Sequence, residues 1–165
     1  IGKARMEDFD MALFRRILEV NATAAAQVSK HFIPLIKQAG AGSIINISSV
    51  QAYIGTPVYS AYTASKAAIC GLTRVWAKEL VAENITVNAI CPGFVHTDMF
   101  EKSVVRLVAG GMTREDAIAD IVKESPQKRP IQPSEIGDLA VFLASGLARS
   151  MTGQSLHLDG GIAVP

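Results

Sequence analysis

The chain has 165 residues, 49% of them hydrophobic and 19% charged, with a formal net charge of +1. So balanced a charge gives no reason to expect nucleic acid as a partner. No apolar run reaches the roughly 18 residues of a membrane span, and the length suits a single domain, 1–165, with ample material for a core.

No signal-like segment opens the chain, which points to a cytoplasmic protein. It begins at Ile1-Gly2 rather than at Met, and reads as part of a longer protein. Two cysteines, Cys70 and Cys91, are expected to be free thiols in a reducing compartment.

Residues Glu7 to Gln38 predict one long helix. Phe14, Ile17, Leu18, Val28, Phe32 and Leu35 recur at helical spacing, and Gly40-Ala41-Gly42 stops the run. Asn21 falls in its middle beside Ala22, Ala24, Ala25 and Ala26. Asn is a poor helix-interior residue, and the small neighbours permit close packing. Ser43 to Ser48 is a short β-branched run and predicts a buried strand. A loop with Gly55 and Pro57 follows, and Ser60 is placed to cap the next helix. That helix runs to about Ala82, with Ala68, Leu72, Val75, Trp76 and Leu80 as its apolar face.

Ile85 to Ile90 predicts the next strand, broken by Cys91-Pro92-Gly93. Residues 98–133 then predict two short helices interrupted by Gly110-Gly111, with Thr113 to Asp116 as a capping box. Their position after a strand end suits a helical lid over a substrate. A last helix begins at Pro133-Ser134 with Ser134 as cap and Ile136, Leu139, Ala140, Leu143 and Leu147 facing inward. Gly153 to Leu158 predicts the last strand. His31, His96 and His157 stand without a metal-ligand pattern, so no metal site is expected.

The stretch from Ser48 to Lys66 carries the chemistry. Ser49 sits just past a strand end, where α/β proteins place reactive groups. Tyr62 and Lys66 are four apart and share one helical face. An unperturbed phenol titrates near ~10. An ammonium one turn away is expected to draw that value down. Tyr62 could then exchange a proton with a substrate hydroxyl or carbonyl, while Ser49 holds the substrate oxygen.

These motifs, in this order, resemble the short-chain dehydrogenase/reductase family: Val20-Asn21-Ala22, Ile45-Asn46-Ile47-Ser48-Ser49, Tyr62-Thr63-Ala64-Ser65-Lys66, Asn88-Ala89-Ile90-Cys91-Pro92-Gly93 with Thr97, and Thr152-Gly153-Gln154 with Leu158-Asp159-Gly160-Gly161. The resemblance covers nearly the whole chain. It implies an α/β fold, the C-terminal part of a Rossmann-like doubly wound parallel sheet, with three strands encoded here and helices on both faces. Two family features are missing from the sequence. They are the Gly-rich phosphate turn and the Asn-Asn-Ala-Gly segment after the fourth strand.

By the same resemblance, the chain is the catalytic portion of an oxidoreductase that moves a hydride between NAD or NADP and a secondary alcohol or ketone. Tyr62 is its acid/base, Ser49 polarises the substrate oxygen, and Lys66 bonds the nicotinamide ribose. Asn21 serves a water-mediated proton relay. Tyr62, Lys66, Pro92, Gly93, Val95 and Thr97 contact the cofactor. Family members pair through two long helices, so a homodimer or tetramer is expected, with a small-molecule substrate, no nucleic acid and no membrane as partners. Two other readings stay open. Ser49, Tyr62 and Lys66 could form a cofactor-independent acyl hydrolase, although no Gly-x-Ser-x-Gly elbow is present. The chain could also be a catalytically silent oligomeric scaffold.

Overall fold

A computed structural model describes residues 2–163. Three parallel strands form one sheet in the order β1-β2-β3: β1 is Gly42–Ile47, β2 is Ile85–Pro92 and β3 is Ser155–Leu158. Gly42 pairs with Ile85 and Ile47 with Ile90; Ala89 pairs with Ser155 and Pro92 with Leu158. Parallel neighbours need crossovers. Here α3 (Ser60–Leu80) joins β1 to β2, and a longer helical excursion joins β2 to β3.

Side-chain alternation along the strands builds two cores, one on each face. Ile85 and Val87 meet Ala77 and Leu80 of α3, with Ile33, Ile36 and Ile44 packed around them. Ile90 points the other way, against Leu143 of α6 (Pro133–Ala144), with Ile45, Ile136 and Leu139 alongside. The expected parallel sheet with helices on both faces is what the chain forms.

The first helical stretch differs from its sequence reading. It is broken into α1 (Met11–Leu18), a π-helical segment (Glu19–Thr23) and α2 (Ala24–Gln38). It starts at Met11, not Glu7, because the Asp10 carboxylate accepts from the Ala12 N–H at 2.8 Å and caps the first turn. Phe14, Ile17 and Leu18 are half-buried, but Val28, Phe32 and Leu35 face solvent. The π segment shifts the phase of the helix between these two groups. Gly40, at φ 77°, supplies the left-handed turn that ends α2.

The buried face of α3 is also rotated from expectation. Ser65, Ile69, Thr73, Ala77 and Leu80 point inward, while Val75 is 53% exposed. Apolar patterning missed this because two inward residues are hydroxyls whose polarity is satisfied. Thr73 Oγ1 donates to the Ile69 carbonyl and accepts from Asn46 Nδ2, both at 2.9 Å. Two caps differ from expectation, by one residue at α3 and by two at α6. Ser60 is the first residue of α3 rather than its cap. Pro133 opens α6, where its missing N–H costs nothing, and the Glu135 carboxylate takes the Gln132 N–H at 2.7 Å instead of Ser134 capping. Leu147 lies beyond the end of α6 and is exposed.

Between β2 and β3 lie α4 (Asp98–Ala109) and α5 (Arg114–Ile121), capped by Thr113 as expected. They have a small core of their own: Phe100, Val104, Ala117 and Val122. Glu101 ties the unit together, bound by Arg114 at 2.8 and 2.9 Å and by His96 at 2.5 Å. Among the described residues no helix is long and apolar enough to cross a membrane, and no group of three or more His, Cys, Asp or Glu could hold a metal ion.

Candidate active site

The C-terminal ends of β1 and β2 lie side by side, because Ser48 N–H donates to the Ile90 carbonyl at 2.8 Å. Ser49 lies two residues past the end of β1 and Pro92-Gly93 closes β2, so two predicted site segments reach the same edge of the sheet. Ser49 is buried, and its Oγ accepts from the Gln51 N–H at 3.2 Å, which pins the turn Val50–Ala52. The loop then passes through Val58 at φ 70°. A β-branched residue in that region is strained, at about 1–2 kcal/mol. The loop delivers Tyr62 in the first turn of α3.

Tyr62 and Ser49 face each other. Burial pushes the Tyr62 phenol above its ordinary 10.0, and the Ser49 hydroxyl beside it pulls the other way. The expectation that Lys66 would draw the Tyr62 value down is not met: burial outweighs the other influences, and Lys66 is not among them. The Lys66 ammonium lies 5.8 Å from the centre of the Tyr62 ring. It donates to the Ile47 carbonyl at 3.0 Å, so its charge rests on the end of β1. Burial also lowers the Lys66 value. Each group is thus biased toward its neutral form by desolvation.

Asn21 reaches this site through an intermediary. Its Nδ2 donates to Ser65 Oγ at 2.9 Å, and Ser65 Oγ donates to the Tyr62 carbonyl at 2.7 Å. The Asn21 amide therefore braces the turn that carries Tyr62. Its carbonyl side lies within the π segment, where backbone bonds run to the fifth residue, as from Ala24 N–H to the Glu19 carbonyl. Sequence reasoning assigned no role to Ser65, nor to Ser48, whose Oγ donates to the Lys66 carbonyl at 2.8 Å. Ser65 could have been found from its spacing, since a hydroxyl three residues after Tyr62 can bond back to that turn.

The β2 side is built as closely. Gly93 N–H donates to the Leu158 carbonyl at 3.0 Å. A Cβ at Gly93 would lie 2.8 Å from the Asp159 carbonyl oxygen and 2.9 Å from its Cα, so only glycine fits. Val95 bridges to Ile131. Thr97 stands at the start of α4, exposed, with its hydroxyl 3.4 Å from the Val95 carbonyl. Asn88 points away from the site and fastens β2 to the β3 approach, donating to the Met151 carbonyl at 2.7 Å and accepting from Gln154 N–H at 3.1 Å. The predicted residues thus fall into two groups. Asn21, Ser49, Tyr62 and Lys66 are joined through α3 and the end of β1. Pro92, Gly93, Val95 and Thr97 follow β2 at the adjoining edge.

The chain is similar to known proteins over nearly its whole length. The family model described as enoyl-(acyl carrier protein) reductase matches residues 2–163. An uncharacterized oxidoreductase of Bacillus subtilis, YxjF, is 39% identical over 160 residues, covering 96% of this chain and 62% of that protein. The D-beta-hydroxybutyrate dehydrogenase of Rhizobium meliloti is 36% identical over 159 residues, covering 95% of this chain and 62% of that protein. Among solved structures, the actinorhodin polyketide ketoreductase with NADPH superposes with a TM-score of 0.90 at 29% identity, covering 99% of this chain and 64% of that one. The chain therefore spans a little under two thirds of the length of the curated relatives it matches. With the whole described chain matched by one model and with the parallel sheet in place, the chain belongs to the short-chain dehydrogenase/reductase family.

Proposed function

We propose that this chain carries the catalytic portion of an NAD- or NADP-dependent oxidoreductase acting between a secondary alcohol and a ketone. The observation that carries this reading is the placing of Ser49 past the end of β1 and of Tyr62 and Lys66 one turn apart on α3, with the Lys66 ammonium 5.8 Å from the Tyr62 ring; burial favours the neutral Tyr62 phenol. A neutral phenol beside a hydroxyl donor can hydrogen-bond a substrate carbonyl and give up its proton as the oxygen gains charge. Ser49 orients that oxygen. Lys66 keeps two further N–H donors besides the one on Ile47, a fit for the hydroxyls of a ribose. Thr97 and the backbone near Val95 offer polar groups at the same edge, a fit for a carboxamide. The cofactor supplies the hydride when bound. The sequence contains no Gly-rich turn for a pyrophosphate, so the residues present fit the nicotinamide end of such a cofactor.

Helices α4 and α5, within residues 98–133, act as the lid in this reading. The protein works in the cytoplasm on small molecules and assembles as a dimer or tetramer. An acyl hydrolase gains no support from the geometry. The Ser49 oxygen is engaged by Gln51, and Tyr62 is pushed away from the phenolate a base would need.

The test is Tyr62→Phe, which removes only the exchangeable proton. Ketone reduction with NAD(P)H should fall by roughly 10²–10⁴-fold with the circular dichroism spectrum unchanged. Near-native turnover in that variant would reject the role.

A further inference from the structure

Cys70 and Cys91 are buried, at 3% and 0% exposure, and their sulfurs lie 3.9 Å apart. Neither takes part in the proposed reaction. Cys70 sits one helical turn after Lys66 on α3, and Cys91 sits on β2 just before Pro92. The pair therefore spans the junction between the helix and the strand that together present the site.

We propose that Cys70 and Cys91 are a redox-active dithiol, closed to a disulfide by a small peroxide oxidant and reopened by a dithiol reductant. Three features beyond proximity support it. The Ser48 oxygen lies 3.2 Å from the Cys70 sulfur, giving that sulfur a polar neighbour in an otherwise apolar cluster with Ala89 and Ala52. The Cys91 thiol facing Cys70 holds the latter's value down to about 5, against the effect of burial, and Cys91 is raised in return. Cys70 has a second polar partner in Ser48 and is the less enclosed of the two, at 3% against 0% exposure, so it is the attacking group and Cys91 follows. Tyr53, 49% exposed, is a further polar neighbour of the Cys70 thiol.

The chemistry balances. The Cys70 thiolate attacks one oxygen of hydrogen peroxide, the O–O bond breaks, and the departing hydroxide takes a proton to become water. Cys70 is left as a sulfenic acid. The Cys91 sulfur then attacks the Cys70 sulfur, the S–O bond breaks, and a second water leaves with the Cys91 proton. Two thiols lose two electrons, and one peroxide becomes two waters. Closing the bond draws the sulfurs from 3.9 Å to about 2.05 Å. This proposal stands apart from the oxidoreductase reading, because mass alone decides it.

The reduced chain is treated with hydrogen peroxide, free thiols are alkylated, and the digest is analysed by mass spectrometry. The expected result is a chain two hydrogens lighter, no alkylated cysteine, and a linked peptide pair carrying Cys70 and Cys91. Dithiothreitol restores both thiols. In Cys91→Ala the reaction stops at a Cys70 sulfenic acid that dimedone traps; in Cys70→Ala the Cys91 thiol stays unmodified. Links between copies, two cysteines that remain alkylatable, or oxidation to sulfinic acids without linkage would each overturn the proposal.

Discussion

Asn21 and Tyr62 are coupled through one hydroxyl. The Asn21 amide donates to Ser65 Oγ at 2.9 Å, and Ser65 donates to the Tyr62 carbonyl at 2.7 Å. Ser65, which makes both bonds, is fully buried. Ser65→Ala should leave the Asn21 amide without its partner and cost about 1–3 kcal/mol. Asn21→Ala should cost a similar amount. The double variant should lose clearly less than the sum, because both changes break one bond. Urea unfolding of the four proteins measures this. Additive losses, agreeing within about 0.5 kcal/mol, would show that the bond contributes nothing.

Titration of Tyr62 should follow burial rather than Lys66. Because its folded value is raised above 10.0, the phenol keeps its proton through neutral pH. Reduction then has its acid in place, while alcohol oxidation should climb as pH rises toward that value. Ser49→Ala removes the neighbour that pulls the value down, so its oxidation profile should move to higher pH. Lys66→Ala should leave the tyrosinate absorbance midpoint unmoved in the chain without cofactor, with Tyr62→Phe as the blank. A downward shift in Ser49→Ala would contradict the geometry. The stability sign is the same: the raised value favours folding below 10.0, and that benefit is lost as pH climbs through the folded value. Tyr62→Phe should therefore lose less stability than the parent above that range.

Gly93→Ala tests the closeness of β2 to the turn after β3. Its Cβ would press on backbone atoms of Asp159 at 2.8 and 2.9 Å. Asp159 itself accepts from the Gly161 and Ala163 N–H groups, so it cannot yield without disturbing that turn. A cost of about 1–3 kcal/mol is expected, read as a lower urea midpoint with an unchanged slope. An unchanged midpoint would mean the approach is loose.

Much of this was legible in the sequence, and the failures have specific causes. The strands Ser43 to Ser48 and Ile85 to Ile90 are short β-branched runs, and both were found within two residues. Ser49, Tyr62 and Lys66 were singled out because the chemistry proposed for them depends on spacing, which a sequence displays. The face of α3 was missed because Ser65 and Thr73 are polar by type and buried by hydrogen bonding. The direction of the Tyr62 shift was missed because desolvation is set by the surrounding fold, whereas the Lys66 charge is visible four residues away.

Assembly should follow the apolar surface that the fold leaves open. Val28, Phe32 and Leu35 on α2 are 58%, 50% and 57% exposed, and Val141 and Leu147 at the far face are 71% and 85% exposed. Val28 and Phe32 also line an open groove of about 510 Å³ along β1. Two patches on opposite faces suit two twofold contacts. Light scattering at micromolar concentration should give a dimer or larger, and Phe32→Glu should lower the mass. A monomer in the parent protein would remove the argument.

The π segment at Glu19–Thr23 makes the first helical stretch two rods on one axis with different headings. A helix turns about 100° per residue, so one extra residue in a turn swings everything beyond it by about that angle. Phe14 and Ile17 can then grip the neighbourhood of α3 while Phe32 looks outward, with Asn21 at the swivel. Deleting a single residue from the segment would shorten the chain very little. It would take out the residue that the wider turn absorbs, and the stretch could close as one regular α-helix.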